Sequence, residues 1–321
     1  MSKEGAVSIQ GLTKRFSKVV ALDAVSLEVP TGSVYGLLGA NGAGKTTLFS
    51  IAAGFLKKSS GSITVLGHDV QEIGELRGRF SMLPQDARFQ GAIPVIDQLI
   101  MFGQLAGLDQ SAARKAAEDA LEIVGLQDIA KRAARTLSHG MMKRVALSQA
   151  FIGDPEVMFL DEPTSGLDPE NARNIRNLVR ENARDRTIIF SSHNLQEVQD
   201  ICTHICILDK GKVAETGTLD DLTRASHLVR VGLARDRSLT PVAEQALQAL
   251  TSVAEIEHSS ESDFNLRLDL KHADEKEAAM KSIYETLFAH DLYPDHVQQG
   301  ASLEARFLQI TGGIYDGASS S

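Results

Sequence analysis

Gly39-Ala40-Asn41-Gly42-Ala43-Gly44-Lys45-Thr46-Thr47 is the stretch on which the reading of this chain turns. It has the spacing G-x-x-x-x-G-K-[ST] of a phosphate-cradling loop. Before it, Val34-Tyr35-Gly36-Leu37-Leu38 is a short apolar run that reads as a buried strand. After it, residues 46–56 carry Leu48, Ile51, Ala52 and Phe55 at helical spacing. Strand, glycine loop and helix together are the context the motif requires. Glycines let the backbone turn its N–H groups inward around an anion, and the positive end of the helix dipole adds to the same site. Lys45 is placed to reach the β- and γ-phosphates, and the Thr46 hydroxyl to sit on Mg²⁺. The nine residues read as a nucleotide phosphate site.

Composition sets the setting. The chain has 321 residues, enough for two domains, with 43% apolar and 23% charged residues. A formal charge of −9 speaks against a nucleic-acid partner, which calls for a basic face. The first residues, Met1-Ser2-Lys3-Glu4-Gly5, lack the apolar run of a signal peptide. No stretch approaches the roughly 18 apolar residues of a membrane span. Two cysteines fit a reducing compartment without a disulfide framework. They belong to a Cys202-x-His204-x-Cys206 cluster. With no second ligand pair at zinc spacing and an apolar run around them, they read as small buried hydrophobes rather than metal ligands.

Along the chain, short apolar runs alternate with helical periods. Two strands, residues 6–9 and 22–29, precede the loop strand, with Phe16 between them. Further runs occupy residues 61–67 and 80–83, the latter ending at Pro84-Gln85. Residues 94–150 turn helical. Val157-Met158-Phe159-Leu160 returns to a buried strand whose end is expected beside the loop, followed at once by Asp161-Glu162. A charged helix over about 171–185 leads to Thr187-Ile188-Ile189-Phe190 and then Ser191-Ser192-His193. A hairpin turning at Lys210-Gly211 closes this part. Alternating strands and helices predict an α/β sheet. Beyond residue 225 the pattern changes. Residues 228–233 and 264–270 alternate as half-buried strands, and residues 241–250 and 275–290 read as helices, a small α+β domain. The Gly/Ser-rich residues 313–321 read as a disordered tail.

A phosphate loop becomes an ATPase only with acidic and water-positioning groups opposite it. Asp161 would hold Mg²⁺, through its water shell, and Glu162 would orient and polarise the attacking water. Gln85 and His193 each follow a strand and could reach the γ-phosphate end, with Gln85 a further candidate at the metal. Ser138 in Leu137-Ser138-His139-Gly140-Met141 can cap the helix that follows.

Taken together these stretches resemble the ABC-transporter ATPase family over about residues 5–220. The loop at residues 39–47 is similar to the Walker A motif and Met158-Phe159-Leu160-Asp161-Glu162 to Walker B. Gln85 matches the Q-loop, Ser165-Gly166-Leu167-Asp168 the D-loop, His193 the H-loop, and residues 137–141 the signature LSGGQ. Six motifs in order make the resemblance specific. His139 and Met141 depart from the signature, standing where the family has a glycine and a glutamine. The resemblance implies a P-loop α/β core with an N-terminal antiparallel β subdomain and a helical insertion over about 86–150. It places that core at residues 1–225 and leaves 226–312 as an accessory α+β domain. It implies ATP and Mg²⁺ as ligands and a head-to-tail pair of chains. Ser138, Gly140 and Asp168 would then meet the ATP held by the other copy. Phe16 matches the family's adenine-stacking aromatic, whereas taken alone it reads as core.

The chain carries one such domain, so transport would need separate multi-span membrane subunits, docking near Asp86-Ala87-Arg88-Phe89 and Phe102, residues that read equally as core packing of the helical insertion. Such a subunit would be cytoplasmic, peripheral on the inner face of the cell membrane. Ser302-Leu303-Glu304-Ala305-Arg306-Phe307-Leu308-Gln309-Ile310-Thr311-Gly312 resembles the ending SLEDVFLELTG of bacterial ABC-2-type exporter ATPases, which points to export. It also reads as an amphipathic closing helix. A second reading is a regulatory or nucleic-acid-associated ABC ATPase without a membrane partner. The paired nucleotide domains, coiled coils or basic insertions that go with it are absent from the sequence.

Overall fold

In the computed structural model, residues 5–183, 186–224, 228–234, 237–260, 262–269, 275–299 and Phe307 are described. Strand β1 (Val7–Phe16) and β2 (Val19–Val29) form a hairpin that pairs Phe16 with Val19. β3 (Val34–Leu38) is buried along its whole length and leads through the glycine loop into α1 (Lys45–Ala52). The apolar period predicted to continue to Phe55 stops short: the chain turns at Gly54 (φ 74°), and Phe55 is 71% exposed. β4 (Ser60–Val65) pairs with β1, and β5 (His68–Asp69) with β4. These four strands make an antiparallel sheet in the order β2-β1-β4-β5.

After α2 (Ile73–Leu76), β6 (Phe80–Leu83) enters the central sheet. The helical insertion contributes α3 (Val95–Leu105), α4 (Gln110–Ile123), capped by the Asp109 carboxylate, and α5 (His139–Ser148). Then follow β7 (Val157–Asp161), α6 (Pro169–Glu181), β8 (Thr187–Ser192), α7 (Leu195–Ile201), β9 (His204–Asp209) and β10 (Lys212–Thr218). The two-residue turn between β9 and β10 has positive φ at both Lys210 and Gly211, which suits a tightly twisted hairpin. The central sheet runs β10-β9-β3-β8-β7-β6, parallel except for β10. β3, β7 and β8 are buried at every residue, as expected of parallel strands covered on both faces.

The strand ending in Asp161 is separated from β3 by β8. Parallel pairing still delivers the ends of β3, β6, β7 and β8 to one edge of the sheet. That is the edge where such sheets bind ligands.

The described residues divide into two compact units, one running to Leu219 and one from Asp220. α8 (Leu219–Arg224) begins at that division. The second unit is a βαββαβ arrangement: β11 (Leu228–Leu233), α9 (Pro241–Gln248), β12 (Val253–His258), β13 (Asp263–Leu268), α10 (Glu275–Ala289) and β14 (Pro294–Gln299). Its sheet is antiparallel, in the order β12-β13-β11-β14. Val229, Val231, Phe264 and Leu266 face Leu247, Ile283 and Leu287 in its core. β12 and β14 are the two strands that periodicity does not reveal. Both are edge strands, largely exposed, and Pro294 opens β14 where no ladder N–H is needed. The exporter-like ending and the Gly/Ser-rich tail lie outside the described residues, except Phe307, which is buried.

Candidate functional site

The glycine loop is held from behind. Gly211 N–H donates to the Ala43 carbonyl, and the Gly211 carbonyl accepts from Asp23 N–H, so the β9–β10 turn and β2 brace it. Gly44 caps α1 with φ 111°, and a Cβ there would stand 2.7 Å from the Ala21 carbonyl. Only glycine satisfies both demands. Gly44 has no side chain to cap the helix, which leaves its first-turn N–H groups suited to meet an anion.

Lys45 is buried at the start of α1. Its Nζ donates to the Gly39 carbonyl at 2.8 Å and the Ala40 carbonyl at 3.3 Å, and stands 3.3 Å from Glu162 Oε1. Glu162 follows β7 in the left-handed region (φ 44°), a strained backbone for a glutamate. Its N–H donates to Ser191 Oγ (2.9 Å), whose hydroxyl donates to Asp161 Oδ1 (2.6 Å). Ser191 therefore fastens the end of β7 to the end of β8. His193 Nδ1 donates to Glu162 Oε2 at 3.2 Å.

These contacts set the charges. Burial pushes the Glu162 carboxyl up, but the His193 hydrogen bond and the Lys45 ammonium together outweigh it and hold it below the usual glutamate range. The same bond to Glu162 raises the His193 imidazole above an ordinary histidine, against the opposing effect of its partial burial. Burial raises the Asp161 carboxyl despite hydrogen bonds from Ser191 and Thr46. Asp161 Oδ2 is buried and has no hydrogen-bond partner among the described residues. An acidic oxygen left unsatisfied beside the Thr46 hydroxyl is an environment that a hard divalent cation or its water fits.

A cleft of about 200 Å³ opens over this cluster, lined by Asn41, Gly42, Gly44, Lys45, Thr46, Thr47, Gln85 and Glu162, with Ala21. Gln85 lies just past β6, and its carbonyl accepts from Lys143 Nζ of α5 at 3.4 Å. Phe16 does not line the cleft. It stands at the end of the β1–β2 hairpin, 44% exposed, with the Lys14 ammonium 4.7 Å from its ring centre. Exposure removes the core reading of Phe16.

Ser138, Gly140 and Asp168 do not line the cleft; they stand at the starts of α5 and α6. Ser138 Oγ caps α5 by accepting from Met141 N–H. Asp168 caps α6 by accepting from Asn171 N–H at 2.9 Å and from Asn171 Nδ2 at 2.6 Å. A Cβ on Gly140 would stand 2.9 Å from the Asn171 side-chain oxygen, so this glycine lets the starts of α5 and α6 approach.

A family model described as "ABC transporter" matches residues 22–165. The linearmycin resistance ATP-binding protein LnrL of Bacillus subtilis is 31% identical over 307 residues, which span 94% of this chain and 97% of the relative. The daunorubicin/doxorubicin resistance ATP-binding protein DrrA of Streptomyces peucetius is 31% identical over 96% of this chain and 92% of its own. This chain belongs to the ABC transporter ATP-binding proteins. It is an ABC ATPase. Among solved structures, cbiO1 from Clostridium perfringens, part of the ABC transporter complex cbiONQ, has a TM-score of 0.61 at 29% identity. That match covers 68% of this chain and 90% of the other. The two resistance proteins match across both units, so the ABC ATPase shares its second unit with them.

The ABC ATPase also uses residues that motif reading passed over. Ser191 was legible only as the end of an apolar strand, and Ser192, Thr164 and Glu197 lacked any local signal. Their contacts arise between elements distant in sequence. Cys202 and Cys206 are buried, and burial pushes both thiols far up, with Cys206 at about 12. His204 stacks on Tyr35 instead of turning to them. Among the described residues, no group of three or more His, Cys, Asp or Glu could hold a metal ion, and no helix is long and apolar enough to cross a membrane.

Proposed function

We propose that this ABC ATPase is the energy-supplying subunit of a bacterial ABC-2-type exporter, acting as a head-to-tail homodimer on separate membrane-spanning subunits. The observation that carries the reading is the division of the site. Lys45, Glu162 and the α1 N-terminus form one half, and Ser138, Gly140 and Asp168 do not line the cleft that half creates. A second copy in head-to-tail orientation would bring its Ser138, with Gly140 N–H, onto the γ-phosphate.

In that arrangement the loop N–H groups and Lys45 hold the phosphates, and Phe16 offers an exposed ring to the adenine. Thr46 and Asp161, with Gln85 on the open side, would hold Mg²⁺, which supplies charge neutralisation at the phosphates when bound. Glu162, kept anionic by Lys45 and His193, orients the attacking water and accepts its proton. His193 holds Glu162, and that contact raises its imidazole above the ordinary histidine value.

Export is supported by the two relatives named for resistance, a phenotype that outward transport produces, and by the resemblance of residues 302–312 to exporter endings. A membrane partner is supported by the apolar surface past Gln85. Phe89 and Phe102 pack edge to face (5.7 Å), and Ile93, Met101 and Leu105 stand exposed nearby in sequence. Location on the cytoplasmic face of the cell membrane follows from that partner and from ATP as fuel. Acidic net charge argues against nucleic acid as the partner. The test is purification from detergent extracts with a tag on this chain. A co-purifying multi-span protein that stimulates ATP hydrolysis is expected. A chain that hydrolyses ATP and brings down no membrane protein would overturn the export assignment.

A further inference from the structure

His193 is bracketed by Ser192 and Asn194, and both are tied to Glu197, Ser192 to its buried carboxylate and Asn194 to its backbone N–H. Ser192 Oγ accepts from Asn194 N–H at 2.9 Å and donates to Glu197 Oε2 at 2.7 Å. Asn194 in turn caps α7, its side chain accepting from the N–H groups of Gln196 and Glu197. The peptide that carries His193 is thus closed into a small ring by Glu197.

The same oxygen reaches the other side of the site. Thr164 Oγ1 donates to Glu197 Oε2 at 2.7 Å. Thr164 lies two residues past Glu162, on the segment that leaves β7 through the strained φ of that glutamate. Glu197 Oε1 pairs with Arg176 of α6 at 3.5 Å, the helix capped by Asp168, and Arg176 Nε lies 3.1 Å from Asp200. Thr164, Ser192 and Glu197 are all buried, at 5%, 2% and 7% exposure. A charged group with this little water needs all its partners, and its hydrogen bonds are strengthened by the low local dielectric. One carboxylate therefore joins the segment after Glu162, the segment of His193 and the helix behind Asp168.

We infer that Glu197 is a positioning residue for ATP hydrolysis, fixing the Glu162–His193 pair through Thr164 and Ser192. It touches neither the cleft nor any reacting atom. It acts because the 3.2 Å contact between His193 and Glu162 joins two segments that are both anchored to its carboxylate, by the Thr164 and Ser192 hydroxyls. The inference rests on the proposed roles of Glu162 and His193. Displacing a catalytic group by about an ångström can lower turnover as much as a hundredfold without touching substrate affinity.

The experiment is steady-state ATPase kinetics on the full chain with nucleotide affinity measured by fluorescent-ATP titration. Glu197→Ala is expected to lower kcat at least about tenfold with the ATP Kd changed by less than about threefold. Glu197→Gln keeps a carbonyl acceptor for both hydroxyls and is expected to retain most of the rate. A merely structural role would not produce coupling to His193. In a His193→Ala background, Glu197→Ala is therefore expected to cost clearly less than it does in the wild type, because the Glu162–His193 contact it supports is already gone. Full kcat in a folded Glu197→Ala protein, or losses that simply multiply, would overturn the inference while leaving Glu162 and His193 in place. Unchanged turnover of both Glu162→Gln and His193→Ala would instead overturn the roles on which it rests, and the inference with them. Should Glu197→Ala fail to fold, Thr164→Val removes one hydroxyl at nearly constant volume. It must lower kcat by about threefold or more at unchanged Kd, and a wild-type kcat sinks the idea.

Discussion

Lys45 and Glu162 form an ion pair across the phosphate cleft, 3.3 Å apart with side chains only 4% and 8% exposed. The group that would grip the γ-phosphate and the group that would activate water are therefore poised on each other. In the proposed mechanism a phosphate entering between them would compete for Lys45 and leave Glu162 to His193, its second partner. Binding and activation would then be linked through one shared contact.

The first prediction concerns Glu162. Glu162→Gln keeps the shape and loses the base. Turnover is expected to fall at least about a hundredfold, the scale of a lost general base, while ATP still binds. The variant should accumulate as an ATP-loaded dimer on size-exclusion chromatography. ATP hydrolysis at the wild-type rate would remove Glu162 from the catalytic role.

Lys45→Ala should weaken ATP binding by at least about tenfold, since a charge-assisted contact to phosphate contributes on the order of 1.5–3 kcal/mol. A fluorescent-ATP titration reads this directly. Loss of stability should accompany it, because Glu162 would keep only His193 as a charged partner.

The pH dependence has a definite sign. His193 is raised by Glu162, so its stabilising contribution is full below the ordinary histidine value of 6.5 and is lost as pH rises through the raised value. Glu162 is lowered from 4.5, so its contribution is present above 4.5 and is lost as pH falls through the lowered value. Between those limits both partners are charged. An NMR titration of the histidine rings should place the His193 midpoint above 6.5, and Glu162→Gln should move it down. A midpoint that ignores Glu162→Gln would contradict the contact.

Ser138→Ala should separate two roles. The cap bond to Met141 N–H is lost, with a stability cost of about 1 kcal/mol measured by thermal or urea unfolding. Turnover should fall further than that small loss explains, and only under conditions where the chain dimerises. If activity follows stability alone, Ser138 is a cap and does not serve the second copy's nucleotide.

Much of the site was legible because each of its chemical groups sits at the end of an apolar run. Residues 34–38, 80–83, 157–160 and 187–190 announce buried strands, and Gly39, Gln85, Asp161 and His193 follow them within a few positions. Parallel pairing then carries those ends to one edge. The strand order was not legible, since β8 between β3 and β7 depends on crossovers that leave no local trace. Nor were the edge strands β12 and β14, whose alternation is blunted by exposure on both faces. Phe55 shows the opposite error, an apolar residue in phase with α1 that the Gly54 turn sets outside it.

By itself the sequence determined the phosphate loop, the acidic pair and the order of the six motifs, because each is a local pattern of backbone freedom, charge and hydrophobic spacing. Only the tertiary structure decided that Lys45 meets Glu162, that Ser191 ties Asp161 to the next strand, and that Glu197 joins Thr164 to Ser192. Those contacts are made between segments up to 117 residues apart, Lys45 to Glu162, and depend on which strands pair. Pairing is settled by burial of the whole sheet, so no short window of residues contains it.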